Sequence, residues 1–139
     1  MESGGNEKAT RYEPLYEASL IVNNPTNLKK IEAIGVTSRQ AATSYGLMQI
    51  MFMAAYALGC RSIDVLLTPD QNIRYGAVHL KGIMKDKRNP SLREALAAYN
   101  GGIGAIDKIR EGQNISAAGY ADKVISLFER YKEYFSSKR

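Results

Sequence analysis

Apolar residues recur along this chain at intervals of three and four, and no clean two-residue alternation persists over any stretch. That spacing lines one face of a helix with 3.6 residues per turn, so a nearly all-α fold is expected. The strongest case begins at Thr68-Pro69-Asp70, which supplies an N-cap, a proline at the first helical position and an early acid. Ile73, Ala77, Leu80 and Met84 follow at helical spacing and are expected to form its buried stripe.

Other boundaries are marked by caps and stops. Ser91-Leu92-Arg93-Glu94 fits a capping box, and the helix it opens should end at Asn100-Gly101-Gly102. A further helix is expected over residues 104–110, and a last one over about 116–135 that buries Tyr120, Val124, Leu127, Phe128 and Tyr131. Asn27 is expected to cap a short helix ending at Ile34-Gly35, and Thr37 or Ser38 the next. That next helix breaks near Ser44 and resumes over residues 46–58, stopping at Gly59. Residues 1–27 are the least regular part, punctuated by Gly4-Gly5, Glu13-Pro14 and Asn23-Asn24-Pro25, with a short helix or ribbon over 16–22.

A chain of 139 residues is the size of one ordinary domain, and with no repeat or long linker residues 1–139 are expected to form a single one. The formal net charge of +5 favours weak attraction to polyanions without choosing among them. Nucleic acid is not expected as a partner, because no zinc-finger spacing, helix-turn-helix signature or aromatic RNP-like strand accompanies the charge. Cys60 stands alone in an apolar stretch and is expected to be a small buried hydrophobe. With one Cys and one His, His79, a structural metal is not expected. Residues 45–60, the most apolar run, fall short of the roughly 20 residues a spanning helix needs and carry Gln49, so they read as a core helix. The first six residues have neither the basic start nor the apolar stretch of a secretory signal.

Four short patches combine residue types able to do chemistry: Glu2-Ser3-Gly4-Gly5-Asn6, Gly46-Leu47-Met48-Gln49-Ile50, Ala97-Ala98-Tyr99-Asn100-Gly101-Gly102 and Tyr120-Ala121-Asp122-Lys123-Val124. Singly, each has an ordinary structural explanation. Glu2 reads as a solvated terminal acid, and Gln49 as an amide that either bonds backbone within the core or faces a polar cleft. Tyr99-Asn100 reads as a core anchor and helix stop, and Tyr120 as a core tyrosine. Together and in this order, however, they resemble the four signature motifs of the soluble lytic transglycosylases. The resemblance covers residues 2 to about 125, and Gly-Leu-Met-Gln-Ile and Ala-Ala-Tyr-Asn-Gly-Gly are its most specific parts.

The resemblance implies a lysozyme-like α-helical fold and a peptidoglycan lytic transglycosylase acting on glycan strands, with no metal or organic cofactor. It makes Glu2 the acid/base and Ser3 a substrate contact near the scissile bond. Met48 and Gln49 would line glycan subsites, Tyr99 and Asn100 would hold the sugar from the opposite wall, and Tyr120 would orient Glu2. One glutamate suffices if the N-acetyl group of N-acetylmuramic acid replaces the second carboxylate. Such a substrate implies the periplasm, the cell envelope or a phage particle as the place of action.

This sequence departs from the family pattern in three places. Only Met1 precedes Glu2, where the family's glutamate ends a substantial helix, so little or no helix is expected before the first motif. About forty residues separate Glu2 from Gly46, an insertion over about residues 7–40 that carries Glu7, Glu13, Glu17 and Glu32. Any of these acids is a candidate second carboxylate for a goose-type-lysozyme-like hydrolase, although surface charge is the commoner role of such residues. A catalytically impaired glycan-binding module is the third reading. Phe52 stands where the family often has proline, and the helix is expected to run through it.

Overall fold

The computed structural model describes residues 4–139, and Glu2 and Ser3 lie outside them. The chain divides into two compact units, residues 1–79 and 80–139, with the boundary inside one long helix.

The first unit opens with β1 (Thr10–Tyr12), then a helical turn α1 (Pro14–Tyr16) that widens into a π-helical segment over Glu17–Val22. Helix α2 (Pro25–Glu32) follows. Its cap is Asn24 and not Asn27: Asn24 Oδ1 accepts from the Asn27 N–H at 3.1 Å, and Pro25 takes the first helical position. Asn27 instead donates its side-chain amide to the Leu20 carbonyl at 2.8 Å. Helix α3 (Ser38–Ala41) begins with a full capping box in which Thr37 and Gln40 satisfy each other's backbone N–H.

Residues 43–51 depart from the helical expectation. β2 (Thr43–Tyr45) and β3 (Ile50–Met51) form a hairpin, and β1 adds antiparallel to β2 with Thr10 opposite Tyr45 and Tyr12 opposite Thr43. The result is a small sheet in order β1-β2-β3 within an otherwise helical chain. A short apolar run cannot distinguish a buried strand from a buried helix by periodicity, because both faces are covered. All three residues of β2 are buried, as are Gly46 and Ile50. Helix α4 (Phe52–Ala57) starts afresh after the hairpin, so Phe52 occupies its first position and is fully buried. Phenylalanine there does not carry a helix through; a proline would be tolerated at the same place.

Ile21, Ile31, Ile50, Phe52 and Leu66, the last from α5 (Ile63–Leu66), centre the core of this unit. Cys60 is buried as expected, and its thiol donates to the Ser62 carbonyl at 3.3 Å. Helix α6 (Pro69–Met84) begins where expected, but its buried face is not the large apolar stripe. Ile73 and Met84 are about half exposed, whereas Asn72 and Gly76 are buried.

The second unit contains α7 (Leu92–Gly101), α8 (Gly104–Arg110) and α9 (Ser116–Ser136). Its core is built mostly from small residues, Ala97, Ala105, Ala117 and Ala121 with Leu96, which let the helix backbones approach closely. Gly101 is one such approach, since a Cβ added to it would lie 2.9 Å from the Ala117 Cβ. The last helix again differs from expectation: Phe128 and Tyr131 are 60% and 62% exposed, and the buried residues are Ala117, Ala118 and Ala121.

Ion pairs fasten this unit. Arg93 on α7 grips Asp122 on α9 through two parallel bonds of 2.6 and 3.0 Å, and Arg110 on α8 grips Glu94 on α7 through bonds of 2.8 and 3.0 Å. Glu94 also completes the capping box by accepting from the Ser91 N–H at 2.8 Å. The Arg110 guanidinium foremost, with the Ser91 backbone, lowers the Glu94 pKa from 4.5 to about 2.

A carboxylate whose pKa is depressed on folding stabilises the native state above its unfolded pKa, and that contribution is lost as pH falls through its folded value. The tie between α7 and α8 should therefore hold at neutral pH and weaken between pH 4.5 and about 2. Urea denaturation across that window should show stability falling with acid, and Glu94→Gln should be less stable at pH 7 with a shallower acid limb. An unchanged acid limb in Glu94→Gln would mean that other carboxylates carry it.

Candidate functional site

The Gly-Leu-Met-Gln-Ile patch is the loop of the β2-β3 hairpin. Tyr45 pairs with Ile50, so residues 46–49 make the turn, which closes with the Gln49 N–H on the Gly46 carbonyl at 3.1 Å. Gly46 has φ +73°, and a Cβ there would fall 2.3 Å from the Asn72 Nδ2 and 2.7 Å from the Leu66 carbonyl oxygen. Glycine is required at this position both for its backbone and for its missing side chain.

Asn72 holds the loop from α6. It is 1% exposed, its Nδ2 donates to the Tyr45 and Leu66 carbonyls at 2.8 Å each, and its Oδ1 accepts from the Met48 N–H at 2.7 Å. The carboxamide thus meets three backbone groups whose burial without partners would be costly. Gly76, one turn on, makes room for Met48: a Cβ on Gly76 would sit 2.6 Å from the Met48 Cβ. Met48 is accordingly half-buried and packed on the helix backbone.

Gln49 adopts φ +47°, a left-handed conformation uncommon for a residue with a side chain. Its Nε2 donates to the carbonyls of Ala9 and Gly46, both at 3.0 Å, and Ala9 also receives the Gly46 N–H at 2.8 Å. Bonding to two carbonyl acceptors fixes which end of the amide is nitrogen. Both of its protons are therefore spent on backbone, and Oε1 is left as the acceptor end of the group. Backbone strain in a loop tied down this firmly is a common mark of a working site.

Tyr99, Asn100 and Tyr120 belong to the second unit. Tyr99 is half-buried and Asn100 exposed on the last turn of α7, which stops at Gly102 with φ +84°. Tyr120 is half-buried on α9, one turn beyond Ala117, the residue that Gly101 approaches. The α7-α9 contact thus brings the third and fourth patches onto two directly packed helices. Asp122, in the fourth patch, is the residue clamped by Arg93.

Two of the four insertion acids have partners. Glu13 pairs with Arg11 at 2.7 Å. Glu17 accepts from the Ser38 hydroxyl at 2.6 Å through one oxygen and from the Tyr12 hydroxyl through the other, and Arg39 lies 4.1 Å over the Tyr12 ring. Ser38 first, then Tyr12, hold the Glu17 carboxyl below its usual range, so it is ionised at neutral pH. Glu7 and Glu32 are exposed. Among the described residues, no group of three or more His, Cys, Asp or Glu side chains is gathered in a way suited to a metal ion.

Asn72, Gly76 and Ala9 are the participants that sequence reasoning missed. Asn72 lies about 100° round α6 from the apolar stripe expected to pack, so the sequence pattern did not single it out.

If Asn72 is the anchor, Gly46→Ala should cost about 3 kcal/mol or more, combining steric overlap with a left-handed backbone. Asn72→Ala should cost at least about 3 kcal/mol, because three backbone groups lose their partner. The two should be strongly non-additive in chemical denaturation, since Ala at position 72 removes the atom that a Cβ on residue 46 would strike. Simple additivity would contradict this geometry.

A family model of the transglycosylase SLT domain matches residues 1–120, a span that takes in Glu2 and Ser3 and runs to Tyr120. No solved structure matches the chain. The family's fold is lysozyme-like, in keeping with a mostly helical chain, and its members carry out transglycosylase-type cleavage of peptidoglycan in the cell wall. With the match extending over most of its length, the chain belongs to the transglycosylase SLT domain family.

Proposed function

We propose that residues 1–139 work as one catalytic domain that cleaves the β-1,4 bond between N-acetylmuramic acid and N-acetylglucosamine, with Glu2 as the only acid/base. Glu2, protonated, donates to the glycosidic oxygen as the bond to C1 breaks. The N-acetyl carbonyl of the muramic residue attacks C1 and takes the place of a second carboxylate. Glu2, now a carboxylate, removes the proton of the C6 hydroxyl, whose oxygen closes on C1 and expels the acetamido group. The product is a 1,6-anhydro sugar, and no water is consumed.

The observation that carries this reading is the hairpin loop of residues 46–49. Gln49, with both amide protons on backbone carbonyls, offers a fixed acceptor to a sugar N–H or O–H. Met48 offers an apolar surface beside it. A loop pinned by Asn72 loses little entropy on binding, which suits repeated recognition of one polymer. In this reading Ser3 contacts the sugar near the scissile bond, Tyr99 and Asn100 contact it from the α7 terminus, and Tyr120 orients the Glu2 carboxyl.

A hydrolase of the goose-type lysozyme kind needs a second carboxylate. The best-held candidate, Glu17, has both oxygens engaged by Tyr12 and Ser38, which favours a structural role for it. The one-carboxylate mechanism is therefore preferred.

Digestion of purified sacculi followed by mass spectrometry tests the proposal. The wild-type chain should release anhydro-muropeptides, one water lighter than hydrolytic products, and Glu2→Gln should lower the rate by about 10²- to 10⁴-fold. Reducing-end products would establish a hydrolase instead. Equal rates in the two proteins would remove Glu2 from the mechanism, and inactivity of both would favour a glycan-binding module.

A further inference from the structure

The face of α9 that packs on α7 at Ala117 and Ala121, and that Val124 extends against the same core, runs on toward the C-terminus. Phe128, Tyr131 and Phe135 follow at helical spacing and are 60%, 62% and 63% exposed. Tyr134 flanks them, edge-on to Phe135 at 5.4 Å between ring centroids. Single exposed apolar residues are ordinary on a protein surface, but a continuous aromatic stripe is not.

The charges along this segment are mostly basic. At about 100° per residue, Lys132 falls along one edge of the stripe, and it pairs with Glu129 at 4.0 Å. Lys123, Arg130 and Glu129 lie roughly 110–130° from the centre of the stripe, and Glu133 lies opposite it. Lys138 lies over the Tyr134 ring at 4.3 Å. Residues 123–139 hold five cationic side chains against two acidic ones, an excess of three positive charges. An occupant should therefore be apolar where it meets the aromatic rings and anionic overall. A second copy of this helix fits poorly, because it would bring one cationic segment against another.

We propose that the C-terminal half of α9 docks on an anionic lipid surface, laying Phe128, Tyr131 and Phe135 into the headgroup-acyl boundary while the Lys and Arg side chains of the segment meet lipid phosphates. Aromatic residues on one face and Lys and Arg on the polar one are the composition of a helix that lies in the membrane interface. From Phe128 to Phe135 the stripe rises only about 10 Å at 1.5 Å per residue, enough to lie in the surface and too short to span it. In keeping with this, no helix among the described residues is long and apolar enough to cross a membrane. Such docking would keep a wall-cleaving domain next to the membrane that borders its substrate. The inference rests on α9 alone and does not depend on the catalytic assignment.

Co-sedimentation of the intact chain with vesicles tests it. The wild type should bind vesicles of equal parts phosphatidylcholine and phosphatidylglycerol, and pure phosphatidylcholine at least about tenfold more weakly. The triple variant Phe128→Ser, Tyr131→Ser, Phe135→Ser should bind the anionic vesicles at least about tenfold more weakly while its net charge and its binding to sacculi stay unchanged. If that variant loses helix by circular dichroism, Arg130→Glu with Lys132→Glu should show the same loss from a folded chain. Three results would overturn the proposal: no wild-type binding to anionic vesicles, retention of binding by these variants, or concentration-dependent dimerisation through the stripe without vesicle binding.

Discussion

The carboxamide of Asn72 is the interaction on which the hairpin loop of the candidate site depends. One buried side chain on α6 meets a carbonyl at the end of β2, a carbonyl at the end of α5 and the N–H of Met48. Each partner is a backbone group that would cost about 1–3 kcal/mol if buried alone. Their convergence explains why position 46 must be glycine, since the space a Cβ would need is taken by the Asn72 amide. It also explains how Gln49 is held in a left-handed conformation: the loop is fixed on one side by α6 and on the other by Ala9, just before β1. The insertion between the first two motifs thus contributes directly, because β1 lies within it.

In the second unit the equivalent constraint is close helix approach. Gly101 against Ala117 sets the spacing of α7 and α9, and the Arg93–Asp122 and Arg110–Glu94 pairs tie the helices together at the surface. Tyr99 and Tyr120 are carried on this frame. Small residues decide the geometry, and Phe128, Tyr131 and Phe135 of α9, which would seem its natural core, are exposed beyond it.

That contrast marks what could be read from the sequence. Helix boundaries with explicit chemical signals were legible: Pro69, the Ser91-Glu94 box, Thr37 as one of two candidate caps and the stop at Gly101-Gly102 all stand where expected. Buried faces were not, because the largest apolar residues were taken to define them. In α6 the buried residues are Asn72 and Gly76, and in α9 they are alanines. Size predicts burial only when helices stand far enough apart to need it. The hairpin escaped notice for a related reason: residues 43–51 are covered on both faces, so the alternation that announces a strand is absent. The family motifs were legible as a set, while Gly-Leu-Met-Gln-Ile, one of the two most specific, looks like helix and folds as a turn.

In the reaction proposed above, Met48 and an acceptor on Gln49 are offered by the hairpin loop, Tyr99, Asn100 and Tyr120 are further proposed contacts, and Glu2 is the proposed proton donor. The claim at its centre is that the loop held by Asn72 is a glycan contact and more than a structural turn. Titrating the ¹⁵N-labelled chain with a soluble N-acetylglucosamine oligomer addresses this most directly. The Met48 and Gln49 amides and the Gln49 side-chain NH₂ should shift in a saturable way. Saturable binding with those resonances unmoved would contradict the account.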